Sequence, residues 1–202
     1  FKYSISSIPK IIFSINNNNN SNNCSSNYSN IRMSISKYAS DYRYLIFNNS
    51  ECLDFIKKNF TNKITDYYYN SHNIKNKNKL FIYCYLYVCG GVYMENNIIL
   101  MNTMNKILSG NFTYSIINNE NNGLYNGFIA SKPKNSIFFI LIHHIVFNIF
   151  NVKDDFYDSY FYNLLVNNNN NYNNIKKGIN KINKNNYWYL YKINNQNNNQ
   201  NN

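Results

Sequence analysis

Apolar residues along this chain come in short blocks, and their spacing changes from block to block. "IPKIIFSI", ending at Ile15, is a β-branched run bounded by Pro and Asn, which predicts a buried first strand. "DYRYLIFNN", Asp41 to Asn49, predicts a second strand. "SECLDFIKKNF" then sets Cys52, Leu53, Phe55, Ile56 and Phe60 at helical spacing, with Ser50 as the expected N-cap.

"KLFIYCYLYVC", Lys79 to Cys89, is apolar throughout, and periodicity alone does not decide its state. Leu80, Cys84, Tyr87 and Val88 share one helical face, and Gly90 follows, where a helix commonly ends in a left-handed residue. The expectation is a helix, a Gly90-Gly91 turn, and a short buried strand "VYM" that delivers Glu95-Asn96-Asn97 at its carboxyl end. Beyond it, "NKILSG" reads as a turn of helix, while "NFTYSII" and "LYNGFIASKP" read as strands, the second with Asn126-Gly127 near its start. "KNSIFFILIHHIVFNIF" reads as a helix with Ser136 as its cap. Strands and helices alternate, which predicts α/β layering. In open sheets of that class, ligands bind beyond the carboxyl ends of the strands.

Between the blocks the chain is polar and repetitive. Roughly one residue in four is Asn, far above ordinary usage. Asn, Lys, Ile, Tyr and Phe all have A/T-rich codons, so genome bias accounts for part of this. The tract from Asn16 to Asn30 reads as a loop or disordered insertion. The expected organisation is one domain over 1–166 with that insertion at 16–30, then a low-complexity segment over 167–202 with one apolar patch, "NYWYLYKI", inside it. A chain of 202 residues is long enough for a real core.

Charge narrows the partners only slightly. Twenty basic and 9 acidic residues leave a net charge of +11. The lysines are scattered, with loose clusters at Lys75, Lys77, Lys79 and between Lys176 and Lys184, and the reading is a solvated basic surface. A phosphate-rich ligand suits this charge. A nucleic-acid-binding role would rest on charge and aromatics alone, because no recognition motif is present. Four Cys at 24, 52, 84 and 89 form no CxxC pair and read as free thiols, leaving the redox compartment undecided. The longest apolar segment, "SIFFILIHHIVFNIF", falls short of the roughly 20 residues of a spanning helix and reads as buried. The opening residue is Phe1, not Met, which suggests a trimmed or partial chain and leaves a preceding membrane anchor open. His143 and His144 read as one core-facing and one solvent-facing residue. The cluster Asp154, Asp155 and Asp158 reads as a solvated helix start, and Trp188 as packing.

Four segments in order carry a family resemblance: "IPKII", "DYRYLIFNNSECLDFIKKNF", "LFIYCYLYVCGGVYMEN" and "NGFIASKPKNSIF". Over most of 8–150 the chain resembles the DXD-containing sugar transferases, a group with alpha-1,6-mannosyltransferase-like members. The resemblance implies a GT-A-like nucleotide-binding sandwich, a Rossmann-like mixed sheet flanked by helices. It implies transfer of a sugar, with retention, from a nucleotide-diphosphate sugar to a hydroxyl of a glycan or protein acceptor. It also implies Mn²⁺ or Mg²⁺, because the diphosphate leaving group develops charge and hard cations take carboxylate oxygens. Carried onto this chain, the donor contacts are Ile8, Lys10, Phe13, Gly90, Gly91, Tyr93, Glu95, Asn97, Asn126 and Gly127, and the metal ligands are Glu95 and Asn97.

The chain also departs from the family pattern. The acidic pair of the Asp-x-Asp motif becomes Glu95 and Asn97. Lys79 and Ile82 stand where the family has Asp and Arg, and Phe13 and Ser14 where it has His and Gln. Packing positions survive better than donor positions. That pattern also fits a catalytically degenerate binding domain, and no residue stands out as a general base.

Overall fold

The computed structural model describes residues 8–16, 25–108, 113–118, 123–147, 178–183 and 186–192. The chain runs β1 (Ile11–Ile15), α1 (Ser25–Tyr38), β2 (Arg43–Phe47), α2 (Asn49–Asn59), α3 (Asn62–Asn70), α4 (Ile74–Val88) and β3 (Gly91–Met94). It continues with α5 (Met104–Ile107), β4 (Thr113–Asn118), β5 (Gly123–Ser131), α6 (Ser136–Phe147), β6 (Gly178–Asn183) and β7 (Asn186–Lys192). The sheet order is β2-β1-β3-β5-β4-β7-β6. β2, β1 and β3 are parallel, while β5 runs antiparallel to both β3 and β4. This is the mixed α/β sheet expected from the sequence. The strands β6 and β7 lie beyond residue 166, so the sheet extends into the segment whose composition reads as low complexity.

Alternation along the central strands makes two cores. Phe13, Ile15, Tyr93 and Ile129 face α2, α3, α4 and α6, in a cluster that includes Cys52, Ile56, Tyr68, Leu80 to Leu86 and Leu141. Ile12, Val92, Met94, Phe128 and Ala130 face the other way, against Ile31, Ile35 and Ala39 from α1 and its end. Helices therefore cover both faces of the β2-β1-β3-β5 part of the sheet.

α1 corrects the reading of 16–30 as loop, since its helix begins at Ser25. Its Asn- and Ser-rich sequence has weak helix propensity. Burial of Ile31 and Ile35, one turn apart, supplies the stabilisation that propensity lacks. α3 was equally hidden: "NKITDYYYN" buries only Ile64 and Tyr68. The cap of α2 is Asn48, not Ser50. The Asn48 side chain accepts from the Glu51 amide at 3.0 Å, and the Glu51 carboxylate accepts from the Asn48 amide at 2.8 Å. At α6, Asn135 precedes Ser136 and its side chain accepts from the Ile137 amide.

The glycine pair behaves as its position after α4 implies. Gly90 has φ +67° and Gly91 φ +104°, both outside the range of ordinary side chains. A Cβ on Gly90 would lie 2.6 Å from the Pro133 nitrogen, and one on Gly91 would lie 2.8 Å from the Ile11 carbonyl oxygen. The pair lets α4 turn directly into the centre of the sheet while β1 and the β5–α6 turn close over it.

Candidate functional site

Parallel pairing of β1 with β3 brings Ile15 and Met94 to the same edge of the sheet, the carboxyl edge. Glu95 leaves β3 there. Its amide donates to the Gly127 carbonyl at 2.8 Å, and its own carbonyl accepts from the Ile98 amide at 3.1 Å. A tight turn thus follows the strand, with Glu95 and Asn96 half-buried and Asn97 exposed. Two side-chain bonds tie this turn to β1. Asn96 Nδ2 donates to the Ile15 carbonyl at 2.8 Å. The fully buried Ser14 hydroxyl donates to the Met94 carbonyl at 2.5 Å, and itself accepts from the Tyr44 hydroxyl at 3.1 Å.

Eight of the ten donor positions divide between the two edges of the sheet, four at each. Glu95, Asn97 and Gly127 meet at the carboxyl edge, with Asn126 next to Gly127 in the β5 backbone. Ile8, Lys10, Gly90 and Gly91 lie at the amino edge, where Gly91 abuts Ile11 and Lys10 Nζ sits 2.5 Å from Asp41 Oδ2. Five strand steps of about 3.3 Å each lead from Lys10 to Ile15. The structure therefore does not bring Ile8, Lys10, Gly90 or Gly91 to Glu95. Phe13 and Tyr93 lie between the edges. Phe13 is wholly enclosed, with ring centroids of Tyr85 at 4.2 Å, Tyr93 at 5.5 Å, Phe81 at 6.3 Å and Phe47 at 6.4 Å. It offers no surface to a ligand, and Tyr93 packs beneath the site, as its strand position suggests.

The altered positions share a theme. Ile82, where the family has Arg, is 4% exposed in the core around Phe13. Phe13, where the resemblance implies His, lies in the same core. Ser14 bonds the backbone that leads to Glu95. Lys79 is half-buried on α4. Asn96 was missed by motif reasoning, which weighs the outer residues of the triplet. Only the β1–β3 pairing shows that the middle side chain is the tether.

The thiols of Cys52, Cys84 and Cys89 are held in their protonated form by burial. Burial pushes the Cys52 thiol up to about 12, against a lowering hydrogen bond from Tyr68. Burial also pushes Cys84 well up, and Cys89 up despite Tyr85 and Lys134 nearby. Both histidines on α6 are half-buried. His143 lies between Phe139 at 4.4 Å and Phe147 at 5.1 Å, stacked on the latter. Burial, with His143 adding to it, lowers the pKa of His144. The Asp154, Asp155 and Asp158 cluster lies outside the described residues, as do the side chains of Asn126 and Trp188. Among the described residues no group of three His, Cys, Asp or Glu side chains could hold a metal, and no helix is long and apolar enough to cross a membrane.

No curated protein matches this chain in sequence. Among solved structures it is similar to one described as "PaToxG Glycosyltransferase", with a TM-score of 0.53 at 16% identity, over 78% of this chain and 70% of that one. Residues 25–113 match the family model "Glycosyltransferase sugar-binding region containing DXD motif", a span that begins with α1 and includes the Gly90-Gly91 turn and the Glu95 turn. Over residues 25–113 the chain is thus similar to the sugar-binding region of the DXD-containing glycosyltransferases, and its α/β fold is similar to that of a glycosyltransferase.

Proposed function

We propose that the carboxyl edge of β1 and β3 binds a nucleotide-diphosphate sugar and that the chain transfers its sugar, with retention, to a hydroxyl of a glycan or protein acceptor. One observation carries this reading: Glu95 stands at the carboxyl end of a central strand, in a turn fixed through Gly127, Ile98 and Asn96. A ligand-binding carboxylate needs such a fixed backbone, because a loose one loses affinity to ordering. Asn97, two residues on, offers an amide group that suits sugar hydroxyls. In the transfer, the anomeric carbon exchanges its bond to the diphosphate oxygen for one to the acceptor oxygen. The acceptor proton passes to the departing diphosphate, so no protein base is required.

The donor set at this edge fits a hard divalent cation of the Mn²⁺ or Mg²⁺ kind. Such ions bind through one or two carboxylates plus substrate phosphates. Glu95 supplies one carboxylate and Asn97 an amide oxygen two residues on. When bound, the ion would neutralise charge on the leaving diphosphate. Glu95 and Asn97 would hold and orient it.

A second reading, a donor-binding domain without turnover, is favoured by the burial of Phe13 and Ile82 at positions where the resemblance implies polar donor contacts. Titration calorimetry with a panel of nucleotide-diphosphate sugars, with and without Mn²⁺, tests both. Metal-dependent binding of one donor that is lost in Glu95→Gln supports the site, and donor turnover then separates the two readings. Absence of binding to every donor by a folded protein overturns both.

A further inference from the structure

A cavity of about 470 Å³ lies on the α1 side of the sheet, between α1 and β2. Its walls are Arg32, Ile35 and Ser36 from α1, Ala39, Ser40 and Tyr42 from the connection, and Tyr44 and Ile46 from β2. β2 is the outermost strand of its end of the sheet, pairing only with β1. The groove therefore runs along an open margin of the fold, on the α1 face of the sheet.

Its chemistry is one-sided. Arg32 is exposed at the mouth, and Ser36, Ser40, Tyr42 and Tyr44 add four hydroxyls. Among the described residues no carboxylate lines it. The nearest in sequence, Asp41, sits between two lining residues, but Lys10 pairs with it at 2.5 Å. A planar guanidinium binds phosphate oxygens in a paired geometry. Hydroxyls both donate and accept, which suits a ligand rich in hydroxyls itself. Tyrosine rings and the apolar Ile35, Ala39 and Ile46 offer a surface for the C–H face of a sugar ring. The wall is also held in place, because the Tyr44 hydroxyl donates to the buried Ser14. The volume falls in the range of about 300–1,000 Å³ typical of small-molecule sites.

We propose that this groove is a second binding site, for a sugar phosphate: Arg32 takes the phosphate, and the serine and tyrosine hydroxyls take the sugar. The site shares no lining residue with the Glu95 turn, and its ligand is a free sugar phosphate or the phosphorylated end of a glycan.

Calorimetry of the full chain, without nucleotide sugars or added metal, tests this with glucose 6-phosphate, inorganic phosphate and glucose as probes. A phosphorylated oligosaccharide forms a further arm that tells the end of a glycan from the free compound. Glucose 6-phosphate is expected to saturate one site at least tenfold more tightly than phosphate or glucose alone. Arg32→Ala should weaken it at least tenfold, and Ser36→Leu, which fills the groove from the exposed face of α1, should abolish it. Both side chains are exposed, so a thermal melt is expected to show both variants folded. Glu95→Gln should leave binding unchanged, which keeps this test separate from that of the donor site. The proposal is overturned by an absence of saturable binding, by equal binding of phosphate alone, or by binding that survives Ser36→Leu and is lost in Glu95→Gln.

Discussion

The side-chain amide of Asn96 donates to the carbonyl oxygen of Ile15 across 2.8 Å, joining the turn after β3 to the last residue of β1. Neither residue is charged, yet the bond helps to fix the turn that carries the neighbouring carboxylate of Glu95. Removing it with Asn96→Ala leaves the Ile15 carbonyl without this donor and should cost about 1–2 kcal/mol of stability. The expected functional result is a donor affinity several-fold weaker. Calorimetry against the donor, with a urea melt of the same protein, checks both. An unchanged affinity would show that the turn holds Glu95 without help.

Gly91→Ala and Gly90→Ala should each be poorly tolerated. Each residue has a positive φ, and each new Cβ would meet backbone rather than a movable side chain, at 2.8 Å from the Ile11 oxygen and 2.6 Å from the Pro133 nitrogen. Strain in φ alone costs about 1–3 kcal/mol, and the clash adds to it. Chemical denaturation should show a large loss in both variants. A loss below about 1 kcal/mol would mean that β1 and the Pro133 turn can retreat.

Restoring family residues should have opposite consequences at different positions. Asn97 is exposed, so Asn97→Asp adds a carboxylate two residues after Glu95 without burying it, and metal-dependent donor binding should strengthen. Ile82 is 4% exposed among apolar neighbours, so Ile82→Arg buries a cation and should destabilise the fold by more than about 3 kcal/mol. A folded Ile82→Arg protein with improved turnover would show that an arginine can leave this core for the site.

Truncation at Phe13 reports on the core, not on the ligand. Phe13→Ala removes a ring enclosed by Phe47, Phe81, Tyr85 and Tyr93, with an expected cost of about 3–5 kcal/mol. Donor affinity of the remaining folded fraction should stay near that of the parent. A selective loss of affinity in a stable protein would return Phe13 to the donor contacts.

Alkali should destabilise the native state through its buried thiols and phenols. Burial raises the Cys52 pKa to about 12, and raises those of Tyr68 and Cys84 as well. An unfolded thiol ionises near about 8.5. Above that pH the unfolded state releases protons that the native state keeps, so stability falls as pH climbs towards about 12. Urea midpoints at about pH 8 and about pH 10.5 should differ in that sense. The same burial should leave Cys52 and Cys84 slow to react with a thiol reagent until the protein is unfolded.

Period and punctuation, both local properties, determined much of this protein. The β-branched run before Ile15 made β1. The shared face of Leu80, Cys84 and Tyr87 made α4, and a glycine after it stopped the helix where only a left-handed residue could. The resemblance across ordered segments then pointed to Glu95 at a strand end. What local pattern left open was partnership. The helix α1 hides in Asn- and Ser-rich sequence because its stability comes from two isoleucines pressed against a sheet formed elsewhere in the chain. The division of the donor positions between two edges follows from the length of β1 and its register with β3, and neither is written in the motif. Phe13 and Ile82 became core residues, and Asn96 a tether, only when distant segments closed around them. A side chain's chemistry belongs to the sequence, but its surroundings, and so its role, are determined by contacts that exist only in the folded chain.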